Sequence, residues 1–248
     1  MARRLLGAAV AVSTIAVWFS SAALAQDCER FVWQCQGYSG PRGQPGPSTF
    51  GMPSSDGGAS LGQPNPAVYA ALSNEPFPVS AVSLTEIDPA FLRQTVSYFT
   101  GETPGTIVID TGNHFLYFVE ANGQAIRYGV GVGREGFGWS GIATIHDKRE
   151  WPDWYPPKEM LERQPEIKRQ MSELQSGLGM PGGPHNPLGA RAMYLWQGDR
   201  DTLFRIHGTV EPWTIGKNVS SGCIRMINQD AIDLYQRAPV GTKIVVLQ

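Results

Sequence analysis

The feature that most constrains the fold is a succession of short apolar runs, separated by turn residues, that begins near residue 106 and continues to the end of the chain. Asn122-Gly123 stands between two of these runs and is the dipeptide most typical of a two-residue β-hairpin turn. Many short strands with few helices predict a mainly β domain of roughly 145 residues, either a sandwich or a barrel-like sheet. The strand candidates are residues 106–110, 114–119, 124–132, 142–146, 191–196, 203–206 and 243–247.

One helix is predicted in the second half of the chain, at residues 229–237. Asn228 is a suitable N-cap, because its side chain can accept a hydrogen bond from the first turn. Ile232, Leu234 and Tyr235 would pack behind the loop that precedes the helix.

A second short helix is predicted at residues 88–99, before the β pattern begins. Asp88 supplies a cap and Pro89 takes the first helical position, and Gly101 follows the end. Apolar residues near one face suggest that this helix docks on the β domain.

Residues 148–190 interrupt the strands with a long insertion. The insertion opens with a stiff aromatic sequence at 151–157, and residues 158–174 are helix-prone and charged, with a break at Pro165. Long insertions in compact domains tend to be lids or binding loops, so a lid over a functional groove is one hypothesis. A surface helix with solvated charges is the alternative.

The N-terminus has the pattern of a secretory signal peptide, assigned to residues 1–25. Arg3 and Arg4 give a positive start, residues 5–19 are apolar, and Ala23-Leu24-Ala25 is a small-residue cleavage site. A retained membrane anchor is the alternative, which the short apolar stretch disfavours. We therefore predict an exported protein, secreted or periplasmic, with no membrane span after cleavage.

The predicted compartment is oxidising, so the three cysteines of the chain can form disulfides there. Cys28 and Cys35 are predicted to form a local disulfide, although the sequence leaves the other pairings open. That pairing leaves Cys223 as a free thiol. Nucleophilic chemistry would explain why an exported protein carries an unpaired cysteine. Residues 37–66 are rich in Gly, Pro, Ser and Gln and are predicted to form an extended linker.

The residues that carry chemistry are predicted between positions 203 and 226. An alternating apolar run delivers His207 at its end, and Cys223 follows sixteen positions later, after a loop broken by Gly and Pro. A thiol attacks as a thiolate, and an imidazole is the usual group that takes its proton. Gly222 allows a sharp turn that aims backbone N–H groups at the space above the sulfur, as an oxyanion hole requires.

Two other interpretations of this pair stay open from the residues themselves. Cys223 could be a small buried apolar residue and His207 a hydrogen-bonded structural one. A zinc site is the second, although neither residue has the closely spaced Cys or His partners that such sites use.

The order of residues around the pair adds a resemblance. His-Gly-Thr at 207–209 and Ser-Ser-Gly-Cys-Ile-Arg-Met at 220–226 resemble the catalytic signature of the L,D-transpeptidases, bacterial cysteine enzymes that cross-link peptidoglycan. The resemblance extends over 104–248 and includes Tyr-Gly-Val-Gly-Val-Gly-Arg at 128–134 and Asn-Pro-Leu-Gly-Ala-Arg-Ala at 186–192. It implies a mainly β catalytic domain over 104–248, preceded by the signal peptide and by an N-terminal segment at 26–103.

The resemblance also implies a reaction. Cys223 would be the nucleophile and His207 the general base, acting on a tetrapeptide stem between a diamino acid and a terminal D-alanine. The acceptor would be an amine of another stem or of an envelope protein. Many family members carry a second histidine where this chain has Ser221, so contacts made by that histidine are not carried over.

Further roles are assigned around the pair. The Gly222 and Cys223 N–H groups would hold the oxyanion, with Ser221 in the same loop, and the Gly208 carbonyl would orient His207 because no Asp or Asn stands in a third position. Arg225 is a candidate for binding substrate carboxylates or for anchoring the loop. Arg191 and Trp213 are lesser candidates for substrate binding.

Several function classes are disfavoured or left as alternatives. A formal net charge of −2 with scattered Lys and Arg gives no footprint for nucleic acid. No metal or organic cofactor is implied, and a monomer is the simplest expectation. A thiol-dependent carboxypeptidase or hydrolase of wall peptides, and a non-catalytic wall-binding protein, are the alternative functions.

Overall fold

A computed structural model describes residues 63–134, 139–220 and 222–247. The predicted signal peptide, Cys28, Cys35, most of the predicted linker and Ser221 lie outside the described residues. The described residues belong to one compact unit.

Nine strands of the described chain form one mixed sheet, in the order β1-β4-β3-β2-β13-β6-β9-β10-β12. Two further pairs, β5 with β11 and β7 with β8, form small separate sheets. The strands are β1 Gln94–Ser97, β2 Ile107–Asp110, β3 Phe115–Val119, β4 Gln124–Gly129, β5 Val132–Gly133, β6 Gly141–Glu150, β7 Ser172–Leu174, β8 Gly177–Gly179, β9 Arg191–Gln197, β10 Arg200–Thr209, β11 Asn218–Ser220, β12 Ile224–Ile227 and β13 Lys243–Leu247. The α-helices are α1 Lys158–Arg163 and α2 Asn228–Arg237, and 3₁₀ turns lie at Pro66–Tyr69, Leu84–Glu86, Pro89–Phe91, Pro165–Gln170 and Pro212–Thr214.

The large sheet curls so that β12, at one end of the sheet, meets the chain that follows β4 near the other end. Gly131, two residues after β4, exchanges two backbone hydrogen bonds with Arg225 of β12, with N···O distances of 2.9 and 2.8 Å. The mainly β prediction is therefore confirmed, with a barrel-like curl. Inside the curl, α2 packs Leu234 and Ala231 against the apolar side chains of the strands.

The hairpin predicted at Asn122-Gly123 joins β3 to β4 as expected. Both turn residues have positive φ, 61° for Asn122 and 69° for Gly123, as the I′ turn type requires. Most predicted strands appear within a few residues of their expected bounds, and α2 begins one residue earlier than expected.

The helix predicted at residues 88–99 is wrong. Asp88 does accept a hydrogen bond from the Ala90 N–H, at 2.9 Å, but the turn that it caps ends at Phe91. Gln94–Ser97 then forms an edge strand against β4. Local capping was correct, whereas pairing with β4 outweighed the apolar periodicity that had suggested a longer helix.

Two other local predictions need correction. Asn228 is not the N-cap of α2, because the cap position is Ile227 and Asn228 Oδ1 accepts the Ala190 N–H at 2.9 Å. The charged stretch 158–174 is helical only in α1 and in the 3₁₀ turn that begins at Pro165.

The start of the insertion packs on the N-terminal segment. Trp151 is buried with Val79, makes an edge contact with Phe77 at 5.1 Å between ring centroids, and donates its indole N–H to Glu75. These contacts attach the insertion to residues 75–79. The lid role remains a prediction.

A buried ion pair joins the N-terminal segment to the sheet. Arg191 of β9 donates two hydrogen bonds of 2.8 Å to the two carboxylate oxygens of Glu75. The side chains are only 6% and 10% exposed. Removal of Glu75 would leave the buried Arg191 with only the exposed carboxylate of Glu150, 3.9 Å away, as a charge partner.

We therefore expect Glu75→Ala to lower the free energy of unfolding by about 3 kcal/mol. The control is Glu102→Ala, which removes a partner of Lys243 in a pair whose side chains are 26% and 43% exposed and should cost at most about 1 kcal/mol. Urea denaturation of both variants measures the difference. Equal losses would show that the Arg191 pair does not attach the segment.

Candidate active site

The site begins with the register of two parallel strands. In the ladder between β10 and β12, Ile206 is opposite Ile224 and His207 is opposite Arg225. Residues opposite each other in a parallel ladder point to the same face, and alternate residues share a face. Cys223, one residue before β12, therefore shares a face with His207, and their Cα atoms are roughly 8 Å apart by strand geometry.

Side chains on the opposite face of these strands fix the register between β10 and β12. Ile206, Ile224 and Met226 are all buried in the core beneath α2. A slip by one residue would turn these apolar side chains outward and would bring His207 into the core. Core packing therefore sets the relative position of His207 and Cys223.

The loop before β12 holds Cys223 through Ser220. The Ser220 hydroxyl donates to the Cys223 carbonyl at 2.6 Å and accepts the Gly222 N–H at 3.1 Å. Gly222 has φ 118°, in the region that favours glycine, as the sharp turn predicted here requires. Sequence reasoning missed Ser220, although a Ser shortly before a tight turn is a known signal for side-chain-to-backbone bonding.

The hydrogen bond from the Gly222 N–H to Ser220 conflicts with the oxyanion-binding role predicted for this group. This group was predicted to hold an oxyanion, but in the structure it is bonded to Ser220. The Cys223 N–H is left as the predicted donor.

His207 is buried and its ring is fixed by the next residue. Nδ1 lies 2.5 Å from the Gly208 carbonyl oxygen. A carbonyl only accepts, so Nδ1 carries the proton and Nε2 has the free lone pair. This is the carbonyl that the sequence analysis named. Gly208 is glycine for a further reason, since an added Cβ would lie 2.1 Å from Asn228 Oδ1.

Burial keeps both groups of the pair neutral at rest. The pKa of His207 is lowered to about 4 in all: burial lowers it most, the Gly208 carbonyl raises it, and the cation of Arg225 lowers it. Burial also raises the pKa of the Cys223 thiol, outweighing a hydrogen bond from the Arg205 backbone and the nearby guanidinium groups of Arg205 and Arg225. Cys223 is a half-buried free thiol, so contact with water moderates that rise.

Two arginines flank the thiol on this face. Arg225 forms a 2.8 Å ion pair with Glu211, and its side chain remains 20% exposed. Arg205, which sequence reasoning missed, forms two 2.8 Å hydrogen bonds to Asp201 and lies 4.4 Å from the ring centroid of Tyr194. Arg205 could have been predicted from the sequence, because it lies two residues before His207 on the same strand and so shares its face.

The remaining predicted site residues lie elsewhere. Arg191 precedes Ala192, which is opposite His207 in the ladder, so Arg191 lies on the face away from His207, where it is bound by Glu75. The structure therefore does not bring Arg191 to the site. Trp213 is 47% exposed in the 3₁₀ turn after β10. Ser221, Cys28 and Cys35 lie outside the described residues.

Comparison with known proteins identifies the family. A family model described as "YkuD: L,D-transpeptidase catalytic domain" matches residues 104–246. That is more than half of the chain, and the chain belongs to the L,D-transpeptidase catalytic domain family.

Among its described residues, no helix is long and apolar enough to span a membrane.

Individual relatives match over part of their length. "Probable L,D-transpeptidase ErfK/SrfK" of Escherichia coli (strain K12) is 30% identical over 148 residues, covering 57% of this chain and 43% of that protein. "Putative L,D-transpeptidase YqjB" of Bacillus subtilis (strain 168) is 44% identical over 66 residues, covering 26% of this chain and 38% of that protein. The chain thus spans less than half the length of these curated relatives.

One solved structure is more similar in sequence. A Brucella melitensis protein described as a "probable carnitine operon oxidoreductase caia" is 55% identical, with 66% of this chain and 99% of that chain covered and a TM-score of 0.44. At that TM-score the likeness carries no argument about this chain.

The low pKa of His207 predicts a pH-dependent stability. Between its unfolded pKa of 6.5 and its folded pKa of about 4, the unfolded chain binds a proton that the folded chain does not. Stability is therefore complete above pH 6.5 and is lost as the pH falls through this window. When the pH is lowered from 6.5 to about 4.5, we expect the free energy of unfolding to fall by about 2 kcal/mol less in His207→Gln than in the parent.

The control for this measurement is Ser172→Ala at an exposed position on β7, which changes no titratable group and should keep the parental slope. Asp230, whose pKa burial raises to about 7, has the opposite sign, since its contribution is lost as pH rises. It is present in every variant and cancels in the difference. Identical slopes for His207→Gln and the parent would contradict the neutral, buried imidazole.

The two hydrogen bonds of Ser220 predict a local effect on the loop. Ser220→Ala should lower the free energy of unfolding by about 1–2 kcal/mol and should speed hydrogen exchange of the Gly222 amide at least about tenfold. Ser172→Ala, at an exposed position on β7, is the control. Unchanged exchange at Gly222 would show that Ser220 does not hold the loop.

Proposed function

We propose that this chain is an exported cysteine transpeptidase that transfers a peptidoglycan stem peptide to an amine. The observation that carries the proposal is the placement of the free Cys223 thiol on the same sheet face as His207, whose Nδ1 is held by the Gly208 carbonyl. Family membership supports the same reaction class.

The first step forms a thioester. His207 Nε2 takes the thiol proton as Cys223 Sγ attacks the carbonyl between the diamino acid and the terminal D-alanine of a tetrapeptide donor. The Cys223 N–H stabilises the oxyanion, and the protonated imidazole then gives its proton to the amine of D-alanine, which leaves. Because both groups are neutral at rest, the thiolate forms only as the attack proceeds.

The second step releases the acyl group to an amine. The acceptor nitrogen attacks the thioester carbonyl, the C–S bond breaks, and the amine proton passes through His207 back to sulfur. The acceptor is an amine of a second stem peptide or of an envelope protein. Transfer to water would give carboxypeptidase activity instead.

Arg225 is proposed to bind a carboxylate of the donor stem. It lies opposite His207 in the ladder, on the face that also carries Cys223, and guanidinium binds carboxylate through two hydrogen bonds. Its partner Glu211 is 46% exposed, so the existing pair is accessible to exchange with a ligand carboxylate.

Export and the N-terminal disulfide are parts of the same proposal. Residues 1–25 would direct secretion, and pairing of Cys28 with Cys35 would keep Cys223 reduced in an oxidising compartment. Mass spectrometry of the protein recovered from the cell envelope tests both features.

The decisive experiment incubates the mature chain with a tetrapeptide stem and follows the protein by intact mass. We expect a tripeptide adduct on Cys223, no adduct with Cys223→Ala, and an acylation rate at least about a hundredfold lower with His207→Ala. His185→Ala, at an exposed position, is the matched control and should react at the parental rate.

Adding an amine acceptor should discharge the adduct to a new amide product. Free tripeptide as the dominant product would favour hydrolysis. Unaltered acylation in His207→Ala, or an adduct that survives Cys223→Ala, would overturn the assignment of the pair.

A further inference from the structure

Arg205 lies beside the thiol on the sheet face that carries the candidate pair. Ile206 and Ile224 are opposite each other in the ladder between β10 and β12. Arg205 and Cys223 each come one residue earlier, so they are neighbours across the strands, with Cα atoms about 5 Å apart by strand geometry. The backbone N–H of Arg205 donates a hydrogen bond to the Cys223 sulfur. This residue therefore contacts the reacting atom through its backbone.

The course of β10 is irregular between Arg205 and its ion-pair partner Asp201. Arg205 and Asp201 are four residues apart, whereas their ladder partners on β9, Tyr194 and Trp196, are only two apart. The three residues between them thus occupy the length of one, which is a β-bulge. Along the strand the separation is about 7 Å instead of the roughly 13 Å of a regular strand. The shorter distance lets the guanidinium form two 2.8 Å hydrogen bonds to the Asp201 carboxylate.

The bulge contains a strained residue that gains no burial. Leu203 has φ 64°, which is uncommon for a residue other than glycine, and it is 76% exposed. Its N–H donates to Asp201 Oδ1 at 2.8 Å, the same oxygen that accepts from Arg205. Bulges next to active sites often re-aim a side chain, and backbone strain tends to be kept at functional sites. The strained bulge fixes the carboxylate that holds Arg205.

An aromatic ring restrains the same guanidinium from a second direction. Arg205 lies 4.4 Å from the ring centroid of Tyr194, and Arg149 of β6 lies 5.0 Å from the same centroid. Each arginine also pairs with an aspartate at 2.8 Å, Arg205 with Asp201 and Arg149 with Asp147. The two arginines therefore have the same kinds of partner on one sheet face. Arg205 is on the strand next to Cys223, whereas Arg149 is two strands further away.

The charges around the thiol act on its ionisation. Burial raises the pKa of the Cys223 thiol, whereas the guanidinium groups of Arg205 and Arg225 lower it. The charged or titratable side chains on this side of the sheet include His207, Arg205 and Arg225, with Asp201 and Glu211 as the partners of the arginines. A cation held beside the sulfur stabilises negative charge there, and this effect needs no movement of the protein during the reaction.

We infer that Arg205 is a positioning residue for Cys223: its guanidinium, held by Asp201 and Tyr194, keeps a positive charge beside the sulfur and stabilises the thiolate. The inference rests on the proposed function and names the group that assists its first step. The proton passes from Cys223 Sγ to His207 Nε2, and the electron pair left on sulfur is stabilised by the cation until it forms the bond to the donor carbonyl. Arg205 itself forms no covalent bond.

The first arm of the test alkylates the full chain at pH 7 with two reagents that differ in charge, neutral iodoacetamide and anionic iodoacetate. Peptide mass mapping separates Cys223 from Cys28 and Cys35. Arg205→Gln removes the charge and keeps the backbone N–H. We expect the iodoacetamide rate at Cys223 to fall at least about threefold, because less thiolate is present. The ratio of the iodoacetate rate to the iodoacetamide rate should also fall at least about threefold, because the anion loses its attraction to the cation. A change in access alone would leave that ratio unaltered.

The matched control is Arg149→Gln, which removes the same charge from the same sheet face and should keep the parental rate and ratio. Arg205→Lys restores the charge and should keep the ratio within about twofold of the parent. Arg205→Met can still pack on Tyr194 and repeats the removal of charge if Arg205→Gln does not fold, which thermal unfolding shows. Equal ratios in the Arg205→Gln and Arg149→Gln variants, or no recovery in Arg205→Lys, would overturn the inference.

The second arm follows acylation of Cys223 by the tetrapeptide donor in a single turnover. Arg205→Gln should lower the maximal acylation rate at least about threefold and leave the half-saturating donor concentration unchanged. A raised half-saturating concentration with the parental maximal rate would assign Arg205 to donor binding and overturn its positioning role. Absence of acylation in the parent would defeat the proposed function, whereas the alkylation arm would still decide whether Arg205 stabilises the thiolate.

Discussion

The parallel pairing of β10 with β12 is the constraint on which the candidate site depends. His207 and Cys223 are brought onto one face only because Ile206 is opposite Ile224 and both are buried beneath α2. The free energy of core burial thus positions two polar groups that make no contribution to the core themselves. The Gly131–Arg225 bridge on the other edge of β12 leaves this strand without an unpaired edge at that point.

The electrostatics of the site follow from that placement. Burial disfavours the charged form of both side chains, which lowers the pKa of His207 and raises that of Cys223. Arg225 opposes the second shift and reinforces the first, because a cation stabilises thiolate and destabilises imidazolium. A neutral resting pair protects the thiol from oxidation, since reactivity follows the thiolate fraction. The neutral imidazole keeps the lone pair of Nε2 available to accept a proton.

The N-terminal segment links this chemistry to the rest of the described chain. Tyr69 donates to Asp230 of α2 at 3.1 Å, and Gln229 donates to backbone carbonyls of the segment. The first turn of α2 therefore holds the segment in place. Residues outside the span of the family match, such as those at 78–86, line a cavity next to residues inside it.

Local sequence chemistry was sufficient for much of this protein. The hairpin at Asn122-Gly123, most strands, the Asp88 cap, the turn at Gly222 and the carbonyl that orients His207 could all be predicted, because each depends on a few neighbouring residues. Tertiary structure decided the rest. Gln94–Ser97 became a strand through its pairing with β4, and Arg191 was drawn away from the site by Glu75. In both cases the hydrogen-bonding partner is far away in the sequence, so the order of residues does not show that the two groups are close in space. Such long-range contacts outweigh local preference once they are buried.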